Sequence, residues 1–416
     1  MVHSKMKIGL LGAAAAIVTL IPWQPAKATL GMLPQCIGTY NCGMGGAGLA
    51  LGTDATSAVI NPALGARINN DAMLSVGWFS AQVENTLNGN YANAQYKGQK
   101  QSSDASQFAN GSLGANYRLT PKWSANISLF PGGGGATDWT YSRTGGIGAG
   151  ETSQSQDRMI RLRMFMGQIS TAYKYTDKLS VGLGLIVSKQ DLITNSLDNA
   201  FNKAKGGAPG TKDNMLGAGG QIGAVWAPNK KVSLALSYRS QVYHQGIDTY
   251  YNIFNGPINT PSQWSAGLAF KPWKGADIAI DTRFINWKGV DSIGSAPFAD
   301  GGFGWKNQWA WYAGIQQRLM GDKLTLRAGW AYAKSPIDET HVFANVLLPA
   351  IVEHHFNIGA SYKLPWNKTE IGFSSYYAPV VTLTDTGNGD AFSQNGKGTK
   401  FSHYQYGAQL SVKKTF

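Results

Sequence analysis

Residues 324–334 read LTLRAGWAYAK and alternate strictly between two kinds of side chain. One face carries Leu324, Leu326, Ala328, Trp330 and Tyr332, and the other carries Thr325, Arg327, Gly329 and Ala331. A period of two is that of a β-strand. Residues 231–242, KVSLALSYRSQV, repeat the pattern with leucines on one side and small or basic residues on the other. Both stretches are typical of strands with one face toward lipid and one toward a lumen.

The first 28 residues have the composition of an export signal. Lys5 and Lys7 precede the apolar residues 8–21, and Ala26-Lys27-Ala28 forms a small-residue cleavage site. The apolar stretch is shorter than the roughly 20 residues that a spanning helix needs. The mature protein is therefore either soluble after export or crosses a membrane with β-strands. Only 14% of residues are charged and the chain holds 52 glycines, which favours many short strands over helices.

The connections between alternating segments are short and long in turn. Six short connections contain turn-forming residues at 120–122, 177–178, 228–230, 273–275, 320–322 and 365–367. Seven long polar or glycine-rich connections lie near residues 88–107, 132–158, 195–213, 246–261, 291–307, 336–352 and 385–400. Six turns and seven loops join fourteen strands. An even number of strands with turns on one side and loops on the other predicts a bacterial outer-membrane barrel.

The predicted fold class is all-β, a transmembrane antiparallel up-and-down barrel of 14 strands over residues 71–416. The last alternating stretch, HYQYGAQLSVKKTF at 403–416, is expected to close it. Residues 29–70 do not alternate and contain GMGGAGLALG and AVINPALGAR. We interpret them as an N-terminal plug (hatch) in the lumen, because a barrel of this width needs filling or gating.

Strand four, MIRLRMFMGQISTAYKY, breaks the alternation. Its apolar positions are even at first, including Met164 and Met166, and then become odd from Ile169 onward. A β-bulge at Gly167 would restore the parity. In the alternative interpretation the even residues line an apolar stretch of the lumen, which makes Met164 and Met166 candidate substrate-binding residues.

The third strand contains SLFPGGGGATDW, in which Phe130 and Pro131 precede Gly132, Gly133, Gly134 and Gly135. Proline cannot donate to the strand ladder, and glycine permits a sharp bend. We predict that the strand kinks inward here and leaves a lateral gate. In the alternative interpretation the strand ends and a loop begins.

The formal charge is +13, and removing the three lysines of the signal leaves about +10. No run of five or more Lys or Arg occurs, so we expect the excess to be spread out. The export signal argues against nucleic acid as a partner and favours anionic lipid or a carboxylate ligand. Arg239, Arg283 and Arg327 take the inward parity. They either form an ordinary charged wall, partly balanced by Asp281, or bind a carboxylate headgroup.

Other chemical motifs are weak. Cys36 and Cys42 are expected to form a disulfide after export, with free thiols or a metal site as alternatives. Residues 43–48 match the dinucleotide fingerprint, but no strand precedes them. The adjacent residues at 354–355 are histidines that would point to opposite faces of a strand. No GxSxG elbow is present. We therefore expect no cofactor, no metal and no enzymatic activity.

The sequence resembles the FadL/TodX family of outer-membrane transporters over the whole mature chain. The resemblance rests on Asn61-Pro62-Ala63 within VINPALGARI, on ALSYRSQV, on LRAGWAYAKSPI and on the aromatic end of the last strand. It implies fourteen strands, a hatch in the lumen and an inward kink of the third strand that opens a side hole. It also implies passive uptake of hydrophobic small molecules, either long-chain fatty acids or aromatic hydrocarbons, with lateral release into the membrane.

The expected location is the outer membrane of a Gram-negative bacterium, as a multi-pass monomer. Its expected partners are the substrate, outer-membrane lipid and lipopolysaccharide, and the barrel-assembly machinery. Two other functions remain open at this point, a general porin and a structural or adhesive barrel.

Overall fold

The fold is a closed antiparallel barrel, seen in a computed structural model that describes residues 30–90, 97–139, 158–194, 212–248, 254 and 256–416. The proposed signal segment lies outside the described residues. Each wall strand pairs with the next along the chain, and the last pairs with the first. The strands are β1 Asp71–Thr86, β2 Gln107–Arg118, β3 Trp123–Trp139, β4 Arg158–Lys174, β5 Leu179–Thr194, β6 Asp213–Trp226, β7 Val232–Arg239, β8 Gln263–Phe270, β9 Ala276–Ile285, β10 Gln308–Leu319, β11 Leu324–Ala333, β12 His354–Lys363, β13 Thr369–Thr384 and β14 Lys400–Thr415.

Two further short strands extend this sheet: Lys100–Ser102 pairs with the end of β1, and Tyr243–His244 pairs with β6. The helices of the described residues are short and lie outside the wall strands. They are α1 Thr39–Gly43, α2 Ser57–Ile60, α3 Asp291–Gly294, α4 Pro297–Asp300 and α5 Ala391–Asn395, with 3₁₀ turns at Pro62–Ala66, Trp287–Gly289 and Phe343–Asn345. Among the described residues, no helix is long and apolar enough to cross a membrane.

The alternation in the sequence corresponds to two faces of the wall. On β7, Leu234 and Leu236 are exposed on the outside while Ala235 and Ser237 are buried on the inside. The prediction of fourteen strands with these faces is confirmed. The six short connections fall where the turn residues predicted them, and together they form one end of the barrel, the turn end. The long connections, as far as the structure describes them, lie at the opposite end, called the loop end.

One predicted loop begins too early. The long connection expected from residue 132 starts only after Trp139, because β3 continues through the four glycines and stays paired with β4. Glycine disfavours strands because it loses more conformational entropy on folding, and not because it cannot adopt an extended backbone. Pairing with β4 alone is therefore enough to keep this segment in the sheet.

The bulge predicted at Gly167 is wrong. β4 pairs with β5 without a register shift, and its even residues face inward along the described strand. The inward face changes in chemistry at this level. Toward the loop end it packs in an apolar core with Leu30 and Met32, whereas toward the turn end Gln168 donates to the carbonyl of Ala58 at 2.9 Å. The switch in parity therefore reflects what each half of the strand meets inside the barrel.

Residues 30–70, the inner segment, lie within the ring of strands. Their contacts reach opposite parts of the wall: Asn126 on β3 donates to the carbonyl of Ala55 at 2.9 Å, and Asp281 on β9 accepts from the backbone N–H of Gly48 and of Leu49 at 2.6 and 2.8 Å. Of the 41 residues of the segment, 31 are buried.

Candidate functional site

The Asn61-Pro62-Ala63 motif fixes the inner segment to β5 and β6. The Asn61 side chain accepts a hydrogen bond from the N–H of Ala63 at 3.1 Å and donates to the carbonyl of Ala224 on β6 at 3.2 Å. Glycines make this approach possible, because a Cβ at Gly223 would lie 1.9 Å from Oδ1 of Asn61. The motif thus packs its backbone directly on the wall.

The glycine-rich residues 43–48 also pack against the wall. A Cβ added at Gly45 would lie 2.5 Å from the backbone nitrogen of Trp330 on β11. Gly45 also has a φ of +71°, which other residues rarely adopt. The segment therefore uses its glycines for close backbone contact. Cys36 and Cys42, on either side of the start of α1, are joined by a disulfide.

One internal pocket, called the main pocket here, lies between the inner segment and strands β3, β4 and β6 to β9. Arg239 and Arg283 both line it, together with Phe130 and Met166. Arg239 donates to the carbonyl of Val59 at 2.6 Å and to the side-chain oxygen of Gln221 at 3.1 Å. The remaining lining residues include Leu33, Pro34, Gln35, Cys36, Ile37, Ile60, Pro131, Gly132, Ser237, Thr260, Gln263 and Ser265.

Arg283 extends its guanidinium over the ring of Tyr312, 5.3 Å from the centroid. Within the described part of the chain, the guanidinium of Arg283 donates no hydrogen bond. The nearby carboxylate of Asp281 instead binds the backbone of Gly48 and Leu49. The pocket therefore holds two guanidinium groups whose charge is not neutralised by a bonded carboxylate.

Arg327, the third predicted arginine, does not join this pocket. It is 7% exposed, donates to Gln316 at 3.1 Å and Ser361 at 2.9 Å, and lies over the ring of Tyr40 at 4.2 Å. Burial, and then the charge of Glu370, raise the pKa of Tyr40 well above its usual range, so its ring remains a neutral surface for the cation. Arg327 thus holds α1 of the inner segment against the wall.

The two candidate methionines both face inward from β4. Met166 lines the main pocket. Met164 belongs to the apolar core near the loop end, where its methyl group lies 3.3 Å from the position that a Cβ on Gly133 would occupy. Both side chains therefore border the bend of β3, at different heights.

Strands β2 and β3 separate at the proline. Their pairing covers only Leu113–Arg118 of β2 and ends where Leu113 meets Leu129. Beyond that level β3 turns inward, with a register irregularity toward β4 between Pro131 and Gly133. The N–H of Gly134 donates to the carbonyl of Met32 in the inner segment at 2.9 Å.

Contact between the two sides resumes at the loop end, where the N–H of Asp104 donates to the carbonyl of Asp138 at 2.9 Å. The opening between these levels, bordered by residues 107–112 and 130–137, is called the window here. Gly133 and Gly134 have φ of +138° and +143°, and a Cβ there would meet the carbonyl oxygens of Met32 and Leu162 at 2.3 and 2.2 Å. Only glycine fits the bend.

A second pocket lies behind the window. It shares residues 34–37 of the inner segment and Pro131 with the main pocket. Its other lining residues include Gly38, Phe79, Asn110, Gly111, Ser112, His355, Tyr376, Gln405 and Gln409. The two pockets therefore meet at Pro131, one beside the arginines and one beside the window.

Sequence reasoning missed His355, Tyr376 and Gln405 behind the window and Gln221 and Gln263 beside the arginines. The alternation of each strand places these residues on the inward face. It does not predict at which level along the barrel axis the inner segment leaves a cavity. The histidine pair does diverge: His355 faces the second pocket, while His354 accepts a hydrogen bond from the Trp330 indole at 3.2 Å. Among the described residues no group of three or more His, Cys, Asp or Glu is placed to hold a metal ion.

The model of the family described as outer membrane protein transport protein (OMPP1/FadL/TodX) matches residues 18–413. The chain belongs to this family. It is therefore an outer-membrane transport protein, and its family is one of transport proteins rather than of enzymes. None of the curated protein sequences matches it significantly.

Solved structures share the fold of this FadL/TodX-family barrel. The P. putida toluene transporter TodX is 17% identical with a TM-score of 0.71, over 92% of this chain and 99% of its own. A Pseudomonas aeruginosa FadL homologue is 16% identical with a TM-score of 0.68, over 93% of this chain and 100% of its own. The Ralstonia pickettii toluene transporter TbuX is 15% identical with a TM-score of 0.61, over 92% and 99%.

Proposed function

We propose that this FadL/TodX-family protein takes up hydrophobic small molecules passively and releases them sideways into the outer membrane through the window. The observation that carries the proposal is the interrupted pairing of β2 and β3 at Pro131. Unpaired strand edges are costly in hydrocarbon. The bend in β3 can be adopted only by glycine, and it is held by a hydrogen bond to the inner segment. A regular strand at this position would keep its pairing with β2, so the bend indicates a specific role for the opening.

The inner segment acts as a plug in this proposal. It fills the axis of the barrel from the level of Leu30 to that of Arg67, which donates to the hydroxyl of Ser180 near the turn end at 2.7 Å. An apolar molecule released along the axis would also enter water, at about 25 cal/mol for each Å² exposed. A side exit avoids both obstacles.

The main pocket is the proposed binding site, and its two arginines favour a carboxylate. Guanidinium groups bind carboxylates through paired hydrogen bonds, and the arrangement is strong where water is excluded. Phe130 and Met166 offer apolar surface beside them. The pocket therefore suits a long-chain fatty acid, with its headgroup at Arg239 and Arg283 and its tail directed past Pro131 toward the second pocket.

The test is to convert residues 131–135 into a regular strand, by Pro131→Thr with Val or Thr at the four glycines. The replacement should restore pairing with β2 and abolish uptake of oleate by a deletion strain complemented with the variant. The control carries Ala125→Thr and Leu129→Val in the paired part of the same strand and should retain uptake. Full uptake by the first variant, with heat-modifiable migration showing a folded barrel, would exclude the lateral route.

A further inference from the structure

The connections at the two ends of the barrel differ in net charge. The six turns at 119–122, 175–178, 227–231, 271–275, 320–323 and 364–368 contain eight lysines and only two aspartates. The seven long connections contain ten Lys or Arg against twelve Asp or Glu. The turns are therefore positive and the loops slightly negative, because the fold brings lysines that are far apart in sequence to a single rim, while the strands carry further positive charge between the two ends.

The lysines of this rim are available to a partner. All eight are exposed, and the ion pairs of the described residues involve other side chains. The two aspartates of the turns form their ion pairs with strand residues: Asp177 with Lys174 at 2.6 Å, and Asp322 with Arg318 at 3.7 Å. The eight, called the lysine ring, are Lys122, Lys178, Lys230, Lys231, Lys271, Lys274, Lys323 and Lys368.

Exposed aromatic side chains mark the membrane boundary at the same height. Trp273 and Trp366 lie within the turns themselves, 57% and 62% exposed, and Tyr117, Trp123 and Trp226 lie at strand ends beside them. Tryptophan and tyrosine concentrate at the level of lipid headgroups. A lysine in the same turn can therefore extend its ammonium group into the headgroup layer.

The distribution of the ring favours lipid over a protein partner. Each of the six turns contributes at least one lysine, so the charge is distributed around the rim of the turn end. A binding site for an acidic protein would instead have its lysines clustered on one side of the rim. We infer that the lysine ring binds the phosphodiester headgroups of anionic phospholipids in the leaflet that contacts the turn end.

The test measures lipid selectivity with the full-length mature protein reconstituted in phosphatidylcholine vesicles. Spin-labelled phosphatidylglycerol and phosphatidylcholine report the relative association of each lipid with the protein surface. We expect phosphatidylglycerol to be preferred by about twofold or more at low salt, and the preference to fall as NaCl is raised.

Two variants of equal charge separate the ring from general electrostatics. Lys122→Gln, Lys230→Gln, Lys274→Gln and Lys323→Gln together should remove most of the preference. Lys97→Gln, Lys288→Gln, Lys334→Gln and Lys397→Gln, all at the loop end, should leave it unchanged. Heat-modifiable migration confirms that both variants are folded.

Equal association of the two lipids with the unmodified protein overturns the inference, and so does an equal loss in both variants. If the lipids associate equally while poly-glutamate binds the protein in a manner that needs the turn lysines, the ring serves an acidic protein instead. Uptake of oleate is measured in parallel and is not required for either result.

Discussion

The three inward-facing arginines make different contacts inside the barrel. All three occupy odd positions on the inward face of their strands, and Arg239 and Arg283 face the main pocket. Arg327 instead donates hydrogen bonds to Gln316 and Ser361 and lies over the ring of Tyr40. The alternation of a strand predicts the side of the wall on which a residue lies. It does not predict which residues the inner segment covers, because that depends on a chain that does not alternate.

Arg283→Gln should weaken uptake of oleate and leave uptake of toluene unchanged. Loss of charged hydrogen bonds to a carboxylate costs about 1.5–3 kcal/mol, which corresponds to roughly ten- to a hundredfold in affinity. Arg283→Lys should retain part of the affinity, since charge remains but the paired geometry is lost. Binding is measured with labelled fatty acid on purified protein. Equal losses for oleate and toluene would indicate a structural role and exclude the headgroup site.

At the scale of elements, the sequence predicts the fourteen strands and six turns well because their signals are local. What it could not predict is how an element responds to its surroundings. The parity switch of β4 suggests a bulge at Gly167, whereas the strand is regular. Its inward face contacts the apolar core toward the loop end and polar backbone groups of the inner segment toward the turn end. The irregularity lies on β3, at Pro131 and Gly133, where the proline and glycines did indicate it.

The contact between the inner segment and β6 can be tested through a single glycine. Gly223→Ala would place a methyl carbon 1.9 Å from Oδ1 of Asn61 and 3.2 Å from Cδ of Pro62, so the motif must move away from the wall. We expect a measurable rise in ion conductance across planar bilayers. Gly220→Ala on the same strand is the control, because its nearest neighbour is 3.7 Å away. No difference in conductance between the two variants would show that the motif does not seal the lumen.

The whole molecule consists of a closed wall around a folded interior, and the two have different stabilising interactions. The wall depends on strand pairing, including the sixteen residue pairs between β1 and β14. The interior depends on side chains of the wall that bond the backbone of the inner segment, such as Asn126 and Asp281. The wall can therefore be expected to close without its contents.

Deletion of residues 30–70 should convert the protein into an open pore. The barrel should still insert, and its single-channel conductance should become steady and several-fold higher than that of the intact protein, because water and ions would fill the space now occupied by the inner segment. Planar-bilayer recordings measure this directly, with heat-modifiable migration as the control for folding. A conductance equal to that of the intact protein would place the barrier to ions elsewhere.

At the window, the pairing of β2 with β3 stops at Leu113, so residues 109–112 form an edge of β2 on the side of β3. Such an edge is a template for one more strand, since alternate N–H and C=O groups point into the opening. A short extended peptide carrying apolar side chains could dock there as an added strand and close the passage from the membrane side. The proposed exit for cargo would then also be the point at which a designed inhibitor could block transport.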